Sequence, residues 1–395
     1  MRKIKPRLKI FSILLPNFYE GDHEKYLWAW TGNGLDYFRH LKNHFKDKPD
    51  ETIVNVPCRP IRVRPQRAFI VPALAFTLGR LLHFNQFILF YFGAFCNLLV
   101  NSSIIYLGLR KNKFFNSSII ASVAFFPNAL FLLASISYDS ILIALFFTIT
   151  NYAITFYNTH NKWDLLILAI LSLVIFPIKT VYFLAIALLP LFYLFRKNKT
   201  LKRNLILITL GFICLYILSI IVINTFNITF FKNHGQSFNR NDILSYSAFE
   251  ALTHPIKSLT MILNTFFEGQ LNSVIDFFMV KREEGASLIF QTISILFFII
   301  LSFSLDDNSF EFSLSSLIVL ILTGLLICLV AITWTAEGDS IIIGLQMRYF
   351  IPILPLFYFA IAPITTKIYK INSKNCFTFL LLFDFFYFID KVITL

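Results

Sequence analysis

Four ionisable side chains stand in or beside apolar stretches, and their types suit the handling of an anionic, oxygen-rich substrate. Asp139 closes the run Ala134, Ser135, Ile136, Ser137, Tyr138. Lys179 follows Phe176, Pro177 and Ile178, and Arg348 stands in Leu345, Gln346, Met347, Arg348, Tyr349, Phe350, Ile351, Pro352. Asp22 belongs to the acidic cluster Glu20, Gly21, Asp22, His23. Ionisable groups near hydrocarbon are costly, so each is a functional-site candidate with a bland alternative. An arginine fork grips phosphate through two parallel bonds, and an ammonium beside unpaired helix amides makes an anion site. A carboxylate can serve as a general base. The bland alternatives stay open: Asp139 complementing a helix dipole, Lys179 snorkelling to headgroups, Asp22 in a solvated turn. His40 and His44 have helical spacing for a metal pair, but no third ligand accompanies them, so no metal site is expected.

The elements that must position these groups are membrane helices. The chain has 395 residues, 57% of them hydrophobic and 14% charged, with 48 Phe and a mean hydropathy of +0.69. A water-soluble core cannot absorb that much apolar surface, and a soluble protein carries about 25% charged residues. Apolar runs of about 17 to 25 residues recur, each long enough to cross about 30 Å of hydrocarbon as a helix, and they lack barrel alternation. The expected fold class is therefore all-α, a polytopic transmembrane bundle. The net charge of +13 sits in short bursts between apolar runs rather than on one face, which argues against a nucleic-acid partner. Cys58, Cys96, Cys214, Cys328 and Cys376 have no metal-ligand spacing.

The expected crossings are 85–107, 117–136, 138–157, 164–176, 178–195, 204–229, 287–304, 313–333, 349–366 and 376–393. Three connections carry nearly all the loop charge. They are Arg110, Lys111 and Lys113; Arg196, Lys197, Lys199, Lys202 and Arg203; and Lys367, Lys370 and Lys374. The positive-inside rule makes all three cytoplasmic, which requires an even number of crossings between each pair. Four fall in each interval if residues 164–195 split at Pro177, where a missing amide and a ring clash break a helix. The opposite face then collects Ser135 to Asp139, Pro177 to Lys179, a loop over 230–286, and Thr335 to Arg348. Tyr138, Trp334 and Tyr349 fall at membrane edges, where amphipathic rings prefer to sit.

This divides the chain into an extracytoplasmic segment, 1–84, with a juxtamembrane helix, and a transmembrane domain, 85–395. Residues 1–68 carry 14 Lys and Arg against 7 Asp and Glu, an unusual balance for the external side. Either Phe69 to Leu82 crosses as a short helix or a further span precedes the sequence, with Ile10 to Leu15 as its tail; the second is the expectation.

Four segments resemble a bacterial family of polytopic membrane proteins known as domain of unknown function 2142, itself similar to the C-type (GT-C) glycosyltransferase superfamily. Phe69 to Leu74 with Leu78, Gly79, Arg80, Leu81 and Leu82 resembles the family's external juxtamembrane helix. Phe126 and Pro127 through Ser135 to Asp139 resembles its proline, serine and aspartate motif. Lys179 with Tyr182 resembles its lysine and tyrosine pair. Gly344, Gln346, Arg348, Tyr349, Phe350 and Pro352 resemble its most specific signature. The likeness spans about residues 17 to 366. Where the family has a proline, aspartate, glutamate run followed by histidine, only Asp22 survives. Ala94 replaces a family arginine, and Met347 replaces the glycine before the signature arginine.

The resemblance implies a GT-C-like fold of about ten crossings in the bacterial inner membrane. It also implies transfer of a sugar from a polyprenyl-phosphate donor in cell-surface polysaccharide or glycolipid assembly; no cofactor is expected, with a need for a divalent metal left open. Asp22 would be the base by position, and Lys179 and Arg348 would hold the lipid phosphate. Asp139, Gln346 and Tyr349 complete the expected substrate-binding set. The expected partners are the lipid-linked sugar and membrane lipid. Two other readings remain: a polysaccharide polymerase or transporter, suggested by the external loop from Asn227 to Ala286, and a non-catalytic membrane scaffold, suggested by the altered first loop.

Overall fold

The structure, a computed structural model, describes residues 66–112, 117–175, 178–179, 181–182, 245–269, 288–304, 310–342 and 345–394. Among the described residues there is no strand, and β pairing is confined to an isolated bridge between Ser245 and Ala336. After a short 3-10 turn, Gln66–Phe69, the first helices are α1 (Ile70–Leu81), α2 (Gln86–Lys111), α3 (Ser117–Ala124) and α4 (Pro127–Ala134). There follow α5 (Tyr138–Thr159) and α6 (Lys162–Ile175), then the short α7 (Ala248–Thr253) and α8 (Pro255–Asn264), which runs into a π turn, Thr265–Gly269. The remainder comprises α9 (Leu288–Ser302), α10 (Phe310–Ile332), a 3-10 helix Met347–Ile353, α11 (Leu354–Ile368) and α12 (Ser373–Thr394).

Helix α5 is the axis of its half of the molecule. Its 22 residues rise about 33 Å, enough to cross a bilayer, and most of its side chains are buried by protein. Buried in hydrocarbon-like surroundings, Thr148, Thr150, Asn151 and Thr155 each turn back to the carbonyl four residues earlier. A polar ladder then ties α5 to α2. Thr148 donates to Ile104 O at 3.0 Å, and Asn112 Nδ2 donates to Asn151 Oδ1 at 2.9 Å. Gly108 lets the backbones meet, since a Cβ there would lie 3.0 Å from Thr148 Cα. Small residues and interhelical amides are the means by which helices associate where no hydrophobic force separates protein from lipid.

A second group packs aromatics: Phe312 of α10 lies 5.2 Å from Phe359 of α11, and Phe298 of α9 stacks on Phe357 at 5.7 Å. Phe297 meets Phe379 of α12 at 5.9 Å. The 3-10 helix Met347–Ile353 lies at the seam, touching α4 and α5 on one side and α10 and α11 on the other.

Among the described residues four stretches are long and apolar enough to span a membrane: Ile88–Lys111, Tyr138–Thr159, Phe310–Ile332 and Met347–Ile368. A fifth is broken. The expected single crossing 117–136 is two helices, α3 and α4, bent by 72°. Pro127 has no amide to donate and forces Phe126 into an extended conformation, φ −57° and ψ 137°, so the first helix stops and a new one starts with Pro127 at its head. The described parts of α6 and α9 have 14 and 15 residues, less than the length of a full crossing. Most of 178–195 and all of 204–229 lie outside the described residues, as do the expected break at Phe176 and Pro177 and the stretch before Gln66. Helix α1 rises about 18 Å, too little to cross about 30 Å unaided.

Candidate functional site

The site is built at the N-terminal end of α5. The chain enters that helix through a bend held by a small hydroxyl network. Ser135 Oγ lies 2.9 Å from Ser137 Oγ, and Ser140 Oγ donates to Ser137 O at 2.8 Å. Asn97 of α2 clasps the bend, donating from Nδ2 to Ser135 O at 2.6 Å and to Ser140 Oγ at 2.9 Å. Ser137 is the extended cap residue, so Asp139 falls in the first turn, where free amides and the helix dipole favour its charge.

Against that carboxylate comes Arg348 from the seam helix, with Nε 3.5 Å from Asp139 Oδ2. The two partners are unequally covered: the Asp139 side chain is 5% exposed and the Arg348 side chain 39% exposed. The carboxylate is thus the buried member of the pair, and the arginine side chain keeps part of its surface exposed. Nε itself makes no hydrogen bond, so the contact is a Coulombic pair rather than a closed fork.

Lys179 completes the cluster from a third segment. Its Nζ lies 3.8 Å from the centroid of the Tyr349 ring, 5.4 Å from that of Tyr182 and 5.7 Å from that of Tyr138. Asp139 is within Coulombic reach of both cations. Three aromatic faces around one ammonium replace part of its hydration by attraction to the ring quadrupoles. The Tyr182 hydroxyl donates to the Tyr349 carbonyl, pinning the lysine segment to the seam helix. Tyr182 is fully buried and packs edge-on against Phe146 of α5 at 5.8 Å.

Asp139, Lys179, Arg348 and Tyr349 thus meet, although 40 or more positions separate the first three in sequence. Gln346 is the exposed residue immediately before the seam helix, and its carbonyl accepts from the Tyr349 amide at 3.0 Å. Asp22, His40 and His44 lie outside the described residues, as does Gly344 of the signature. Two members of the site escaped the sequence reading as binding groups: Tyr138, singled out only for a membrane edge, and Tyr182, singled out only as the neighbour of Lys179. Their signal was adjacency, one residue before Asp139 and three after Lys179.

Chemically, two cations share one carboxylate, which leaves an excess of positive charge, a combination that can accept an anion. A second ionic contact marks the far end of α5: Lys111 Nζ lies 2.9 Å from Asp164 Oδ1, and Thr159 Oγ1 donates to Asp164 Oδ2 at 3.2 Å. The anion-ready cluster and this clamp therefore occupy opposite ends of one span-length helix.

No curated protein and no solved structure matches the chain. The sequence pattern of the family described as "Predicted membrane protein (DUF2142)" matches residues 37–357, which include α1 through the seam helix and every described member of the cluster. With most of its length inside that match, the chain belongs to the DUF2142 family of predicted membrane proteins.

Proposed function

We propose that this protein is a glycosyltransferase-like membrane enzyme that takes a sugar from a polyprenyl-phosphate carrier and delivers it during cell-surface polysaccharide or glycolipid assembly. The observation that carries the reading is the gathering of Lys179, Arg348 and Asp139 at one end of α5, with the arginine side chain partly exposed and the carboxylate buried. The resemblance of the same residues to the family's motifs, and of that family to the C-type superfamily, supports the class of reaction, and the charged connections support a cluster on the external face of a bacterial inner membrane. A bundle of about ten crossings accommodates both.

In the reaction an acceptor hydroxyl attacks C1 of the sugar while its proton passes to a base, the role that the resemblance gives Asp22 by its position in the sequence. The bond between C1 and the phosphate oxygen breaks, and its electron pair leaves with the polyprenyl phosphate. Negative charge grows on that leaving oxygen, so the fork of Arg348 and the ammonium of Lys179 stabilise the transition state more than the ground state. Asp139 keeps both cations oriented and offsets part of their mutual repulsion. The test is sugar transfer in proteoliposomes from a radiolabelled polyprenyl-phosphate sugar, compared with an Asp22→Ala, Arg348→Ala double variant. Transfer in the parent that is lost in the variant supports the reading; unchanged turnover in the variant rejects it.

A further inference from the structure

The connection between the middle and C-terminal parts of the chain contains a helix with two apolar faces. On α8 and the turn that follows, Ser258, Met261, Ile262 and Thr265 are buried against the rest of the protein. On the opposite face Ile256, Leu259, Leu263 and Phe267 recur at intervals of three or four and are exposed by 81%, 50%, 46% and 68%. Phe249 and Leu252 of α7 are exposed in the same manner. One turn of apolar residues on a surface is ordinary, but a continuous stripe over three turns facing away from the protein requires a non-aqueous neighbour.

The location identifies the neighbour. Tyr246 donates its amide to Thr335 O at 3.1 Å, and Ser245 pairs with Ala336, so the helical pair is fastened beside the C-terminal end of α10. Along α10 the outward residues Leu317, Ile321, Leu322, Leu325 and Val330 form the apolar belt of a spanning helix, and Trp334, 63% exposed, marks where that belt ends. The helix that carries the stripe packs beside the end of this belt, at the level where amphipathic rings settle between headgroups and acyl chains. At the edge of the stripe stand Thr260 and Lys257, whose Nζ lies 4.7 Å from the Tyr246 ring centroid, suited to headgroup oxygens. The geometry points to an interfacial anchor: α7 and α8 lie in the plane of the membrane at the Trp334 rim, their apolar stripe embedded at the headgroup and acyl boundary. The anchor also holds the segment leading to Arg348, since Thr265 Oγ1 accepts from the Ile342 amide at 2.7 Å and Tyr246 Oη accepts from the Gly338 amide at 3.1 Å. This inference is independent of the catalytic reading and stands or falls without it.

The test places single nitroxide labels at Ile256, Leu259, Leu263 and Lys257 in a cysteine-free full-length chain, reconstituted in vesicles of phosphatidylethanolamine and phosphatidylglycerol. Collision with oxygen should exceed collision with a water-soluble nickel chelate at the three stripe positions, and the order should reverse at Lys257. Stripe labels reached freely by nickel would place the helix in water and overturn the inference. Labels shielded from both reagents would show it covered by protein, a second copy or another part of this chain, and would overturn it equally. Should the labelled chains fail to fold, Phe267→Trp gives a second reading: its added fluorescence should be quenched by lipids brominated near the headgroup. The inference fails if that added signal is untouched.

Discussion

Arg348 and Lys179 are both cations, yet their surroundings give them different work. Arg348 is partly exposed with a buried counter-ion, which suits a planar fork to an anion in the proposed reaction; Lys179 is packed among three rings, which suits a positioned point charge. Arg348→Ala should lower sugar transfer by about 10² to 10³ in kcat, the loss typical of removing one transition-state donor. Arg348→Lys should recover only part of it, because charge returns without the fork. Both are read by initial rates in proteoliposomes, and full activity in the alanine variant would remove the arginine from the reaction. Tyr182→Phe tests the pin between segments. It deletes a hydroxyl whose bond to Tyr349 O fixes the lysine segment against the seam helix, a contribution of about 0.5 to 1.5 kcal/mol. The thermal midpoint in detergent should fall slightly, and the affinity for the phosphate donor should fall with it.

At the scale of elements, the site depends on how closely α2 approaches α5. Asn97 satisfies a carbonyl in the bend before α5, and Gly108 allows backbone contact about three turns further along. Asn97→Leu strands the Ser135 carbonyl, and a buried unpaired acceptor costs about 1 to 3 kcal/mol. Gly108→Leu forces the helices apart, because a Cβ already meets backbone at 3.0 Å and a longer side chain has nowhere to turn. Both variants should unfold at lower temperature, measured by scanning fluorimetry of the purified protein in detergent. Only Asn97→Leu should also loosen the site itself, seen as a donor KM raised more than a global destabilisation of similar size raises it. A hinge of another kind lies between α3 and α4. Phe126 and Pro127 were legible as a motif, but a window of hydropathy averages over the break, so one crossing was expected where the chain turns by 72°.

For the whole molecule the governing arrangement is two ionic clusters at opposite ends of α5. Cysteines introduced at Gln346 and Lys162, each exposed, should react with a membrane-impermeant maleimide from opposite sides of sealed vesicles; labelling of both from one side would contradict a spanning α5. Much of this was written in the sequence. Apolar runs of spanning length, bursts of Lys and Arg between them, and isolated charges beside prolines determine a helical membrane protein and nominate Asp139, Lys179 and Arg348. They do so because the cost of exposing backbone or burying charge in hydrocarbon is local and large. What the linear pattern could not decide was which lone charges share a pocket. Hydropathy fixes where a residue sits along the membrane normal, whereas the partners around that level come from side-by-side packing of helices distant in the chain. Packing alone brought Arg348 to Asp139, wrapped Lys179 in Tyr138, Tyr182 and Tyr349, and turned the stripe of α8 outward, since those contacts depend on helix rotation and seam geometry rather than on composition.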